Sequence, residues 1–309
     1  TLAALHRLRQ SLVSIAERHG DVVMPGYTHV QRAQPVLFAH HMLAYFDMFG
    51  RDVERFGQAR DRADVMPLGS GALAGVPYPI DREFVARELG FARISTNSMD
   101  AVSDRDFLLD FHAAASICVM HLSRISEELV LWSSDEFGFV TLSDDHTTGS
   151  SMMPQKRNPD FAEIARGKSG RVFGNLVGLL TTMKGLPLTY NRDLQEDKAT
   201  LFDSVDTLTM VLPAIEGAIR GAEFQTDRIE AALDPQLLST DLADYLVRAG
   251  VPFRRAHEVV STVVRVAEDQ GVPVDQLQLE TFQEAHAAFG SDVLEVFDWE
   301  RSVEAREAP

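Results

Sequence analysis

Three short polar segments hold the residues whose types and spacing could do acid–base chemistry. The densest is Thr148-Gly149-Ser150-Ser151-Met152-Met153-Pro154-Gln155-Lys156-Arg157-Asn158-Pro159. Backbone N–H groups around Gly149–Ser151, with Lys156 and Asn158, could hold a carboxylate as it gains charge. The hydroxyls of Ser150 and Ser151 could carry a proton. Most loops of this composition only connect helices, so the segment needs support from elsewhere. The second segment, Met24 to Pro35, gathers Tyr27, Thr28, His29, Gln31 and Arg32. His29 can transfer protons near neutral pH, although a lone histidine is more often structural. The third, Leu188 to Lys198, sets Tyr190, Asn191, Arg192, Gln195 and Lys198 between apolar runs. It reads either as an exposed turn or as a surface with donors of several lengths.

The elements that must position these segments read as helices throughout. Leu43, Phe46, Phe49, Val53 and Phe56 recur at steps of three and four, the helical period. From Phe91 to Phe137 there is neither Gly nor Pro, and Phe107, Leu108, Phe111, Ala115, Leu122, Ile125 and Leu129 mark one face. That run predicts a helix on the order of 45 Å long, a length typical of bundles. A further helix is predicted from Pro159 toward Lys184, with Gly170, Gly174 and Gly178 on one face. Glycine weakens a helix, so such a stripe implies that another backbone packs close against it. Ala199 to Gly221 reads as a helix kinked at Pro213. Shorter helices start at Ser239 or Thr240, stopping at Gly250-Val251-Pro252, and run from Arg254 to Gln270, ending at Gly271. No alternating run predicts a strand. The fold class is all-α, with residues 1–229 a helical-bundle catalytic domain and 230–309 a small C-terminal helical domain, the boundary falling near Asp227–Pro235.

Composition excludes several function classes. The 309 residues carry a net charge of −17, which argues against non-specific binding of nucleic acid or of anionic membranes. An anionic substrate would then need a locally positive site, which draws attention to the Lys/Arg/Asn-containing segments. The single cysteine, Cys118, lies in an apolar run and reads as a small core residue, which fits a reducing cytoplasm. No apolar stretch reaches the ~20 residues that span a bilayer, and Thr1–Gln10 has no apolar signal core. Gly69 to Gly75 has one residue too many for a dinucleotide loop and no strand before it, so it reads as a tight turn. Gly167-Lys168-Ser169 lacks the P-loop's first glycine, since position 162 is Ala162. His257-Glu258 lacks a second histidine at zincin spacing, and His40 and His41 point to different sides of a helix. No metal and no cofactor are implied.

Taken together and in this order, the three segments resemble the fumarase/aspartase superfamily, and argininosuccinate lyases in particular. The pattern Gly-Ser-Ser-x-Met-Pro-x-Lys-x-Asn-Pro is the superfamily signature, and Gly149 to Pro159 match it at every fixed position. The choice within the superfamily rests on Gly26–Pro35, Ser103-Asp104-Arg105-Asp106-Phe107 and Tyr190–Lys198. The resemblance runs nearly end to end. It also implies a longer N-terminal portion in relatives, holding part of the substrate site, and a continuation beyond a segment like Ser302–Pro309.

Carried over by position, the resemblance implies a cytoplasmic β-eliminating lyase that splits argininosuccinate into arginine and fumarate. Ser150 is then the base for the Cβ proton, His29 the paired acid/base and Glu163 the carboxylate that orients it. Lys156 and Asn158 hold the aci-carboxylate intermediate. Thr28, Tyr190, Gln195, Lys198 and Arg105 bind substrate. The resemblance further implies a homotetramer whose active sites gather residues from different subunits. The alternatives are a sister lyase acting on adenylosuccinate or aspartate, and a crystallin-like structural protein on the same fold.

Overall fold

The computed structural model describes residues 1–306. In chain order its elements are α1 (Leu2–Arg18), β1 (Val23–Thr28), β2 (Gln31–Leu37), α2 (Phe38–Ala63), β3 (Val65–Met66), α3 (Arg82–Leu89), β4 (Arg93–Ile94) and α4 (Ser98–Ser103). Then come α5 (Asp106–Trp132), β5 (Val140–Thr141), β6 (Thr148–Gly149), β7 (Arg157–Asn158), α6 (Asp160–Met183), α7 (Asp197–Arg220) and α8 (Thr226–Ala231). The chain continues with α9 (Ser239–Arg248), α10 (Phe253–Gln270), α11 (Leu279–Ala285) and α12 (Trp299–Glu304). The all-α class holds. The packing forms two units, one of Thr1–Ser14 with Ala44–Glu223, the other of Ile15–Leu43 with Phe224 onward.

The first unit is built on long helices. α5, α6 and α7 have 27, 24 and 24 residues and pack against one another. Their shared core includes Cys118, Leu122, Leu129, Val172, Leu179, Leu208, Leu212 and Ile215, all buried. Burial also raises the Cys118 thiol well above its ordinary range, which makes it inert. The helix expected over residues 91–137 is shorter, because local caps break its first part. Asn97 accepts N–H bonds from Met99 and Asp100 to start α4 (3.0 and 3.1 Å). The Asp104 carboxylate accepts from the Asp106 N–H at 2.7 Å and so starts α5 afresh. At about 40 Å, α5 is still the longest element. The glycines of Gly69–Gly75 form the expected tight turn: Gly71 has φ 61°, and a Cβ there would lie 2.4 Å from the Gly75 carbonyl oxygen.

The glycine stripe on α6 behaves differently from expectation. A Cβ at Gly170 or Gly174 would meet nothing within 4 Å, and one at Gly178 only Thr200 Cγ2 at 3.9 Å. No backbone of the described residues supplies the close approach. The same helix leaves Phe173, Val177 and Leu180 exposed.

The second unit has its own core, in which Leu242, Leu246, Val259, Val263, Phe282 and Phe289 are buried. Gly271, at φ 68°, caps α10 where the sequence placed the stop. One feature contradicts the sequence reading, because β1 and β2 form an antiparallel hairpin where no strand was expected. A lone two-stranded ribbon is marginal in water, and this one lies against α8, the 3-10 turn Pro235–Leu238 and α12. Those contacts draw residues 15–43 to the C-terminal part of the chain, so the observed partition does not follow the expected 1–229 and 230–309 spans.

Candidate active site

The signature segment is a small antiparallel stem with a loop on it. Thr148 pairs with Asn158 and Gly149 with Arg157. The Ser150 N–H donates to the Lys156 carbonyl at 3.4 Å, and the Lys156 N–H to the Met153 carbonyl at 3.0 Å. The loop folds back on Ser150, whose Oγ accepts N–H bonds from Met152 (3.3 Å) and Met153 (3.0 Å). Amide dipoles aimed at an oxygen favour its charged form, so this geometry lowers the cost of a serine alkoxide. Lys156 is exposed, and its ammonium has no ion-pair partner among the described residues. Asn158 is half-buried in the stem. A positive charge and amide donors thus converge on one loop, as a developing dianionic carboxyl group would require.

Pro159 ends the stem, and α6 begins at once, with Glu163 in its first turn. The Glu163 carboxylate is about half exposed and lies 4.0 Å from Arg166, which is itself hydrogen-bonded to Glu127. Glu163 is therefore open to a further partner. It faces a largely apolar cavity lined also by Thr148, Phe161, Met210 and Ala214.

His29 and Thr28 stand in the other unit, at the tip of the β1–β2 hairpin. Thr28 pairs with Gln31, leaving His29 and Val30 as the turn, with φ of 55° and 59°. Positive φ at both central positions marks a type I′ turn, usually built from Asn-Gly. A left-handed conformation costs a residue with a Cβ roughly 1–2 kcal/mol, and a β-branched valine tolerates it worst. Val30 is 65% exposed, so packing does not repay that strain. The turn holds the His29 side chain out at an exposed tip.

The third segment holds a residue the sequence reading passed over. Asp197, 3% exposed, receives Arg105 Nε on one oxygen (2.5 Å) and Lys198 Nζ on the other (3.0 Å). Arg105 also donates to the carbonyls of Val102 and Asp104. Its guanidinium is committed inside the protein, which weakens the expectation that it binds substrate directly. Lys198 keeps most of its side chain in solvent, and Tyr190 and Gln195 are exposed on the same stretch. Arg105 and Thr189 line a cavity with Asp100, Asp104 and Asp106. Burial, with those two carboxylates nearby, raises the Asp104 carboxyl above its ordinary range. In sequence, Asp197 was one acid among several, and only its burial beside two cations distinguishes it. No hydrogen bond or ion pair joins this cluster to the serine loop among the described residues. Nor do those residues contain a group of acids, cysteines or histidines that could hold a metal ion.

Comparison with known proteins identifies the family. Residues 1–174 match the family model described as lyase, and residues 236–304 match that of the argininosuccinate lyase C-terminal region. The argininosuccinate lyase of Synechococcus sp. (strain JA-3-3Ab) is 55% identical over 98% of this chain, which covers 62% of that protein. That of Dehalococcoides mccartyi (strain BAV1) is 54% identical over the whole chain, covering 67% of its length. The chain thus spans about two thirds or less of these relatives. Among solved structures, an EDDS lyase in complex with formate superposes with a TM-score of 0.88 at 29% identity, over 99% of this chain and 63% of its own. A class II fumarase from Schistosoma mansoni shares the fold, at TM-score 0.81 and 18% identity over 97% and 65%. With a lyase model over more than half its length and relatives this similar from end to end, the chain belongs to the argininosuccinate lyase family.

Proposed function

We propose that the protein is a carbon–nitrogen lyase that cleaves argininosuccinate to arginine and fumarate by β-elimination. The observation that supports it most directly is the serine loop, where Ser150 Oγ receives two backbone N–H bonds beside the exposed Lys156 side chain. The Cβ proton of a succinyl group is hard to remove, because the neighbouring carboxyl group must then carry a second negative charge. Ser150 takes that proton. Lys156 and Asn158 stabilise the aci-carboxylate while it exists. The Cα–N bond then breaks, the electron pair leaves on nitrogen, and His29, oriented by Glu163, returns a proton to it. Atoms and charges balance without a redox partner. Thr28, Tyr190, Gln195 and Lys198 bind the substrate, with Arg105 acting through Asp197.

In this reading the protein works as a cytoplasmic homotetramer. The open glycine stripe and the exposed Phe173, Val177 and Leu180 of α6 suit a helix of another copy, whose backbone would make the close approach. Each site would then take its serine loop from one subunit and its His29 hairpin from another. The direct test is ultraviolet absorbance of fumarate when the full-length protein meets argininosuccinate. Fumarate release from adenylosuccinate or aspartate instead would move the protein to a sister lyase. No release from any of them would leave a structural role. A folded full-length monomer at micromolar concentration would overturn the assembly.

A further inference from the structure

The serine loop is held at its base by a contact with no assigned role. Directly before the stem, Asp144–His146 form a 3-10 turn. Ser143 Oγ and His146 Nδ1 are 3.0 Å apart, and Thr147 Oγ1 donates to the Ser143 carbonyl at 3.3 Å. This turn rests on α7 where two glycines lie one helical turn apart. A Cβ added to Gly217 would lie 2.5 Å from His146 Nε2 and 3.1 Å from Cε1, and one added to Gly221 would lie 3.1 Å from Ser143 Oγ. The imidazole therefore fills the space that a side chain at Gly217 would need. On its other side it meets the ring of Phe161 on α6, edge to face, with centroids 5.2 Å apart. Arg157, across the stem, donates to Asp144 at 3.2 Å. Gly217 lies inside α7, where glycine in place of alanine costs about 1 kcal/mol, and the seated imidazole gives that cost a reason.

We propose that His146, seated in the notch at Gly217 and Gly221, is a positioning residue that fixes the stem of the serine loop and so the place of Ser150. The inference rests on the reading of Ser150 as the base. His146 touches no substrate. Its effect passes along four residues of chain to Ser150, and a misplacement of about 1 Å at a reacting group can cost on the order of a hundredfold in rate.

The test uses full-length His146→Ala, Gly217→Ala and the double variant, with two readouts. In turnover of argininosuccinate, each single variant should lower kcat about tenfold or more while KM changes less than about twofold. The double variant should be no slower than His146→Ala alone, because the added methyl then occupies the space the ring has left. In brief trypsin digestion, with cut sites identified by mass spectrometry, cleavage after Lys156 and Arg157 should rise severalfold in both singles. Both kcat values within twofold of the parent, with unchanged cleavage, would overturn the proposal. So would a double variant whose loss equals the product of the two single losses. His146→Ala only deletes atoms, so its unfolding would make the residue a core support and overturn the positioning role. A parent that releases no fumarate would instead sink the lyase reading, and proteolysis alone would still decide whether the notch anchors the loop.

Discussion

The serine loop and the histidine hairpin carry the two proposed proton-handling groups, and they are built in opposite ways. The loop is relaxed and internally bonded. Its stem has two paired positions, its serine oxygen takes two amides, and its base is seated against α7. The hairpin tip is strained, with two non-glycine residues at positive φ and one of them a β-branched valine in solvent. The difference shows two ways to fix a reactive side chain. Hydrogen bonds to the reactive atom set its chemistry as well as its place, whereas backbone strain sets only its place. Ser150 needs the first, because a serine is a poor base without help. His29 does not, because an imidazole ring carries protons in acid–base catalysis without such activation.

That contrast predicts unequal losses. Ser150→Ala should lower kcat by on the order of 10³-fold or more with helical circular dichroism unchanged, since proton transfer by a placed group supplies about 10²–10⁴. Lys156→Met should follow, at about 10²–10³-fold in kcat with little change in KM, because its interaction forms mainly with the aci-carboxylate. Steady-state fumarate release measures both. A Lys156→Met enzyme within threefold of the parent would mean that the loop is not the carboxylate clamp.

A smaller signal asks whether loop and hairpin serve one site from different subunits. Ser150→Ala and His29→Asn proteins, each nearly inactive, would be unfolded together in equal amounts and refolded. With random mixing, about one half times one half, roughly a quarter of sites, draw an intact loop from one chain and an intact histidine from another. Recovery near a quarter supports shared sites. Activity at the level of the separate mutants, with mixing confirmed by mass spectrometry, would end that model and leave the lyase chemistry standing.

The same contrast decides what could be read from the sequence. The serine loop was legible as a candidate because its polar groups stand in consecutive residues, Gly149 to Pro159, and the ends of α6, α7 and α10 lie at Pro159, Gly221 and Gly271 as expected. The hairpin was not legible. Both strands contain proline, Pro25 opposite Pro35, and the register slips at Gly26, so no clean alternation survives. Its turn is His29-Val30, where a two-residue hairpin normally announces itself with Asn-Gly. Asp197 and His146 were missed for another reason. Each matters through residues distant in sequence, Arg105 for one and Gly217 for the other, and no local pattern encodes such a meeting. The glycine stripe of α6 was legible as a demand for a close neighbour, but the described residues of one chain do not supply it.

The smallest expected effect tests the hairpin's strain itself. Val30→Gly would put at the second turn position the residue that a type I′ turn prefers. Relief of the left-handed conformation is worth roughly 1–2 kcal/mol. The added freedom of glycine in the unfolded chain takes back about 0.5–1 kcal/mol. The difference leaves a net stabilisation of about 0.5–1 kcal/mol, because the exposed valine has little packing to lose. The urea midpoint should therefore rise while the slope of the transition stays the same. Turnover should move the other way, falling about two- to fivefold, if the strained valine is what keeps the tip rigid and His29 aimed. Such an exchange of stability for activity is common where strain serves a site. A destabilised Val30→Gly protein would show that contacts of the valine side chain repay its backbone. A stabilised protein with unchanged turnover would show that the strain does nothing for His29, and the hairpin would then differ from the serine loop only in lacking its hydrogen bonds.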